Sequence, residues 1–477
     1  MVQEVKATMN RPHREHPAVL PLRLSLYLWL FILPLIRGIH LLGMPGDIPG
    51  WLHSHLPDRL VALFVTGTAV TLWWHRTYTL SRHSLILRRG VLLRRTTRIP
   101  LSHITTLIVE RPLWLRLSGG ARVVADTDAG NHRMADLRLL VPRGRIAVFL
   151  PDSNRVHVHA AGWRLFLLSV LSSDSLGGFL LLVTVLRHGS ILLGEGLRHT
   201  VLNNLETAAE ALALIPKTAA IVTVALAAAW LVGTVRLFLR HLPFRVCRTQ
   251  DTLTVYTGFF TRRIHCCALG AVNYLDRQQT LTAYLLGLHI GYINCTGYGK
   301  DRNTRAVLIP PCRRAILRLE EELFLPTMSH HILSIHPAKG ALLRYWRWPL
   351  ILLAALPFAV WVGTMLFPHW RSLFTYLALM AVLPCLWLLA VCWIDRRTAG
   401  VGVDNGCFCL SYSRFLTLHR VTLPRHKVAM IRIRQSFWQK RKSICDIKVY
   451  SHHEFRRPHP VKHLPMKEVL ILLDSIN

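Results

Sequence analysis

Acidic residues are scarce in this chain: 25 Asp and Glu stand against 58 Lys and Arg in 477 residues, a net charge of +33. Charged residues of both signs make up only 17%, well under the roughly 25% usual in soluble domains. With 52% hydrophobic residues, this excludes disorder and collagen and argues against a soluble enzyme. Familiar catalytic signatures are missing as well. There is no Walker loop, Rossmann glycine run, Gly-x-Ser-x-Gly elbow or His-Glu-x-x-His helix. The sequence therefore predicts no catalytic residue and no cofactor. Structural zinc sites use closely spaced Cys pairs in twos. Cys266-Cys267, Cys407-x-Cys409 and the histidines His13/His16, His330/His331 and His452/His453 lack that spacing, so no metal is predicted either.

Long apolar runs are present. A membrane-spanning helix needs about 20 apolar residues. Six candidates occur: Leu24 to Leu42, Leu60 to Trp74, Trp163 to Leu186, Thr218 to Val235, Pro349 to Phe367 and Leu373 to Ile394. They fall in three pairs, each followed by a long polar block. Tryptophans at several ends, among them Trp73, Trp163, Trp348 and Trp393, fit an interfacial belt.

The basic residues are unevenly placed. Residues 1–23, 76–164, 236–348 and 395–477 hold 52 of the 58 Lys and Arg. Lys and Arg near membrane ends stay on the cytoplasmic side. Both termini and all three polar blocks are therefore expected in the cytoplasm, on the inner membrane. Attraction to anionic lipid heads accounts for bases beside every span, and no nucleic acid is expected. None of the ten cysteines lies in the predicted outer loops, which fits reduced thiols.

The polar blocks repeat. Leu85 to Gly90, Arg94, Arg95, Pro100 and Ile104 align with Leu253 to Gly258, Arg262, Arg263, Ala268 and Val272. The third copy runs Cys409 to Arg414, Pro424 and Val428. Leads into the membrane repeat too: His16-Pro17-Ala18, His157-Val158-His159-Ala160 and His336-Pro337-Ala338. The predicted unit is a helix pair followed by one module. Alternation predicts strands over 78–87, 91–99, 104–109 and 121–126 in the first module. In the second it predicts Leu253–Tyr256, Phe259–Cys267, Val272–Asp276 and His289–Asn294. Closing helices are expected over Ala315–Leu325 and Met466–Leu473, with a short or missing one in the first module.

A strand, a glycine turn, a basic strand and Ile99-Pro100-Leu101-x-x-Ile104, directly after two membrane helices, resemble the bacterial pleckstrin-homology-like (PH-like) domain. The threefold arrangement is similar to the YdbT-type family of multipass membrane proteins. The resemblance implies an α+β membrane protein with six transmembrane helices in three pairs. After each pair comes a cytoplasmic PH-like bent β-sandwich of seven strands with a C-terminal helix. The expected boundaries are 1–75 for the N-terminal tail and first helix pair, 76–160 for the first domain, and 161–240 for the second pair. Residues 241–330 form the second domain, 331–396 the third pair and 397–477 the third domain. The resemblance carries no catalytic residues.

Two candidate sites stand out. Arg94, Arg95, Arg98, Arg262 and Arg263 form basic strand positions able to hold lipid phosphates by charge-assisted hydrogen bonds, or merely a solvated face. Asp174, near the centre of the third span, is either a structural polar contact or part of a membrane pathway. The leading expectation is a noncatalytic scaffold binding proteins or lipid headgroups, with envelope stress or defence as its setting. The alternative is a transporter or export component using Asp174. Expected partners are membrane lipids and either a smaller PH-like membrane protein or further copies of the chain.

Overall fold

A computed structural model describes residues 12–25, 56–81, 83–127, 136–149, 156–172, 231–295, 306–329, 332–338, 342–452 and 458–474. The first stretch holds β1 (His13–Arg14), α1 (Val19–Leu24), α2 (Leu56–Trp74), β2 (Thr77–Leu80), β3 (Ser84–Arg89) and β4 (Arg95–Pro100). It continues through β5 (Ile104–Arg111), α3 (Leu113–Leu117), β6 (Gly120–Thr127), β7 (Leu137–Pro142) and α4 (Ile146–Phe149). The middle stretch holds β8 (Val156–His159), α5 (Gly162–Ser172), a helix over 231–241, β9 (Arg245–Arg248), β10 (Thr252–Thr257), β11 (Arg262–Ala268) and β12 (Val272–Thr280). After it come α6 (Leu281–Leu285), β13 (Leu288–Cys295), β14 (Ala306–Arg313) and α7 (Arg314–Phe324). The last stretch holds α8 (Leu342–Leu366), α9 (Arg371–Thr398), β15 (Gly400–Asp404), β16 (Cys407–Arg414), β17 (Thr417–Pro424) and β18 (Val428–Arg434). It ends with α10 (Phe437–Lys440), β19 (Ile444–Ser451), β20 (His459–Pro465) and α11 (Met466–Asp474).

The chain forms two compact units. One takes residues 1–155, 249–254 and 260–268; the other takes the remainder. In the first unit, β1 to β4 make an antiparallel sheet in that order. Its inner residues Tyr78, Leu85, Leu87 and Ile99 pack on Val109, Val123, Leu139 and Val141 of β5 to β7. That is a β-sandwich, alternating apolar-in as half-buried strands do. β5 has a further neighbour: β11, from the middle stretch, lies antiparallel to it. In the second unit, β14, β13, β12, β17, β16 and β15 form one six-stranded sheet. Val401, Phe408, Leu410, Val421 and Leu423 pack on Ile447, Val449, Val461 and Leu464, with Val469 of α11 closing the core.

Strand exchange between stretches is the main departure from the sequence reading. β11 completes a sheet with β5, and β17 does so with β12. Periodicity predicts that a strand exists, not which strand it joins. The expected strand over 78–87 is a hairpin instead, β2 and β3, joined across Ser81. The second lead found in the sequence lies in a strand, and the residues just before the first and third pair with strands too. His13 and Arg14 pair with Tyr78 and Thr77, β8 pairs with β9, and Ile335 bridges Val401. Each of these stretches thus joins the first strand of the module that follows it. The closing helices α7 and α11 match their predicted spans within a residue or so, and α4 has four residues.

Among the described residues, two helices are long and apolar enough to cross a membrane: Tyr345–Leu366 and Phe374–Thr398. Almost none of either is covered by protein; Phe358, Leu379 and Leu383 are about two-thirds exposed. Of the six expected spans, the last pair is the one found among the described residues. α2 is apolar only over Leu63–Trp74, and α5 only over Gly162–Leu171. Polar Asp58 and Arg59 occupy the first turn of α2. The predicted first span, the third beyond Ser172 and the fourth before Leu231 lie outside the described residues.

Candidate functional site

The polar modules are tied to the apolar helices at their ends. At the end of α2, the Trp73 indole N–H donates to the Glu15 carbonyl at 2.9 Å. Arg76 pairs with the Glu15 carboxylate at 2.8 Å, which is almost completely buried. At the start of α5, Arg164 grips Glu320 of α7 with two bonds of 2.8 and 3.2 Å. Its remaining donors reach the carbonyls of Pro310 and Pro311. A planar guanidinium can satisfy a carboxylate and two carbonyls at once. Burial lowers the Arg164 pKa, but its bonds and attraction to Glu320 outweigh that and hold it above the usual arginine value. At the start of α8, the Tyr345 hydroxyl donates to the Lys462 carbonyl at 3.1 Å, and at the end of α9 Ser413 donates to Asp395 at 2.6 Å.

Beside these anchors sit three short helices, each following one strand of its module. α3 exposes Leu113, Trp114 and, at 90%, Leu117. α6 exposes Tyr284, Leu285 and Leu286. α10 exposes Phe437 and Trp438, both about two-thirds. Local sequence builds all three the same way. Pro112, Thr280 and Ser436 occupy the N-cap, where Thr280 accepts from the Ala283 N–H and Ser436 forms a capping box with Gln439. Gly119, Gly287 and Ser443 end them in the left-handed region. Two of the buried sides meet apolar helices: Leu115 packs with Ala18, Val19 and Trp73, and Leu281 packs with Trp387, Val391 and Ile394. The apolar sides therefore project where the apolar helices begin and end. Turn Phe259, half exposed, donates its N–H to Leu239 at the end of the helix over 231–241. Sequence reading passed over these tips. Their signal was an apolar cluster just after a cap residue and just before a turn.

The five predicted arginines separate. Arg94 lies in the turn before β4, and Arg95 and Arg98 are exposed on β4. Arg98 donates to the Ser84 hydroxyl at 3.3 Å. Arg262 is exposed at the start of β11, whereas Arg263 forms an ion pair with Glu110 of β5 at 3.2 Å. Asp174 lies outside the described residues. Among the described residues, no group of three or more His, Cys, Asp or Glu side chains is placed to hold a metal ion. Burial pushes the thiols up, Cys266 to about 11 and Cys312 to about 12, which leaves both unreactive at neutral pH.

The joint between β12 and β17 carries a second polar network. Gln278 donates to Asp276 at 2.6 Å, and His419 Nδ1 lies 3.0 Å from the same carboxylate. Burial alone would raise Asp276, but the adjacent His419 and the Gln278 bond hold it below the usual carboxylate value. Next to it, Arg277 forms a bidentate pair with Glu321, with one bond at 2.8 Å and the other between Nε and Oε1. Both side chains are nearly buried, and removing one partner of such a pair costs about 3–5 kcal/mol.

No curated protein and no solved structure matches this chain. A family model described as bacterial PH domain matches it twice, over residues 30–143 and 350–477. Each match takes in an apolar helix region and the strands after it; the middle stretch lies outside both. Together the matches cover just over half of the sequence, and the chain belongs to the bacterial PH domain family.

Proposed function

We propose that the chain is a noncatalytic, multipass inner-membrane scaffold that lays three PH-like modules against the cytoplasmic leaflet, where they bind lipid headgroups or proteins. The observation that carries this reading is the repeated apolar tip beside the helix ends. Leu117, Leu285 and Trp438 project outward at equivalent places in three modules. Exposed apolar groups rimmed by bases mark a surface that meets another phase. Arg116 flanks the first tip; Arg441 stacks over Phe437 and Trp438 at 4.9 and 5.7 Å. Arg94 and Arg262 lie beside the exposed apolar turns at Leu92, Leu93 and Phe260. A noncatalytic role agrees with a sequence that carries none of the catalytic motifs.

The test is photolabelling of the purified full chain in nanodiscs containing a photoactivatable anionic phospholipid. Adducts should map to residues 113–117, 284–286 and 437–438 as well as to the apolar helices. Labelling confined to the helices, with the tips modified only by a water-soluble probe, would remove the basis for a membrane-facing module surface.

A further inference from the structure

The two strand joints share one register. Pro100, Ala268 and Pro424 end β4, β11 and β17. Five residues before each stand Arg95, Arg263 and His419. Ten residues after each stand Glu110, Gln278 and Arg434; eight after stand Ile108, Asp276 and Arg432. In the first joint Arg263 lies directly across from Glu110. In the second His419 lies directly across from Gln278. Both joints thus oppose the same two positions, and both bring a basic side chain to a carboxylate, directly across in the first and two residues along in the second. Arg263 forms an ion pair with Glu110, and His419 lies within hydrogen-bond distance of Asp276.

Two more edges have this form, and among the described residues neither has a neighbour strand. β4 ends the first sheet, and β18 ends the last. On β4, Arg95, Thr96, Thr97 and Arg98 are all exposed. In the shared register Arg95 calls for an acid on an added strand. β18 cannot supply it, because Arg434 and Arg432 stand where β5 and β12 carry Glu110 and Asp276. A second copy bringing β18 to β4 would set Arg434 against Arg95, and like charges directly opposite destabilise a strand pair. Head-to-tail addition of that kind would also build a ring or an open filament. Arginines on an edge strand block such self-pairing.

We propose that β4 is a docking edge for a strand of a different polypeptide, which adds antiparallel along Arg95–Pro100 and places a carboxylate across from Arg95. Main-chain bonds would supply affinity, and the acid–base pair the choice of partner. The inference goes beyond the lipid-facing role, and photolabelling of the helical tips does not depend on it.

The chain's own acidic strand is the probe. A fluorescent peptide of residues 102–112, which contains Glu110, is titrated into the purified full-length protein in detergent, and anisotropy is read. Binding should weaken at least tenfold in Arg95→Glu, an exposed position whose change leaves circular dichroism unaltered. The same peptide carrying Glu110→Arg should prefer the Arg95→Glu protein to wild type. A peptide of residues 427–436, which carries β18, should not bind wild type. No binding of the acidic peptide, or binding indifferent to the charge at position 95, overturns the proposal. So does mass photometry showing wild-type oligomers that Arg95→Glu dissolves, since a second copy would then occupy the edge.

Discussion

His289, on β13, illustrates how far a basic chain can bend the chemistry of one residue. Burial, followed by repulsion from Arg314, Arg277 and Arg420, brings its pKa down to about 4. An unfolded histidine takes its proton near pH 6.5. Between about 6.5 and 4 the unfolded chain therefore holds a proton that the folded chain refuses. Stability falls as pH drops through that window and levels off below it. Removing the imidazole should remove that part of the loss. Melting midpoints of His289→Leu and wild type, followed from pH 7.5 to 4 in detergent, should diverge on acidification, with wild type falling more steeply. Parallel curves would mean that His289 takes up its proton without resistance in the folded protein.

At the scale of elements, local periodicity made much of each module legible. β10, β12 and β13 lie within a few residues of their predicted places, because alternating apolar residues and turn glycines report a half-buried strand directly. The third turn replaces that glycine with Arg414 and shifts the left-handed conformation to Phe415, at φ 54°. The joints were not legible, since no local pattern states which distant strand is a neighbour. Their residual signal was an acid in a strand of an acid-poor chain: Glu110 and Asp276 both mark a joint. The predicted basic positions divided for the same reason, Arg263 being taken up by a joint and Arg95 not. The His-Pro-Ala leads were visible as a repeat, but their pairing was not. Here Gly402 provides a test. A Cβ on Gly402 would lie 2.1 Å from the Ile332 carbonyl oxygen and 3.0 Å from Leu333 Cα. Backbone cannot yield as a side chain can, so Gly402→Ala should displace the lead strand. The expected loss is about 1–3 kcal/mol, typical of overpacking. Hydrogen exchange at the Ile335 and Val401 amides, which bond each other's carbonyls at 2.8 and 2.9 Å, should speed up. Gly270→Ala, with open space around the added carbon, should leave both unchanged.

For the whole molecule, strand pairing constrains topology independently of charge. Two strands bonded to each other must lie on one side of a bilayer. β1 pairs with β2, so the chain between residues 14 and 77 crosses an even number of times or not at all. β5 pairs with β11, which sets the same condition between residues 111 and 262. β12 pairs with β17, with α8 and α9 between them, and two crossings there satisfy it. Under the proposed function these pairings would keep the three modules on a single side, and the distribution of Lys and Arg would make that side the cytoplasm. Green fluorescent protein fused after Gly130, Lys300 or Asn477 should fluoresce at each site, and alkaline phosphatase at those sites should be inactive. Phosphatase inserted after Gly194, in the predicted outer loop, should be active. If any two of the three module fusions reported opposite sides, at least one strand joint could not form in the membrane-inserted protein, and the shared sheets would have to be abandoned together with the docking edge argued from them.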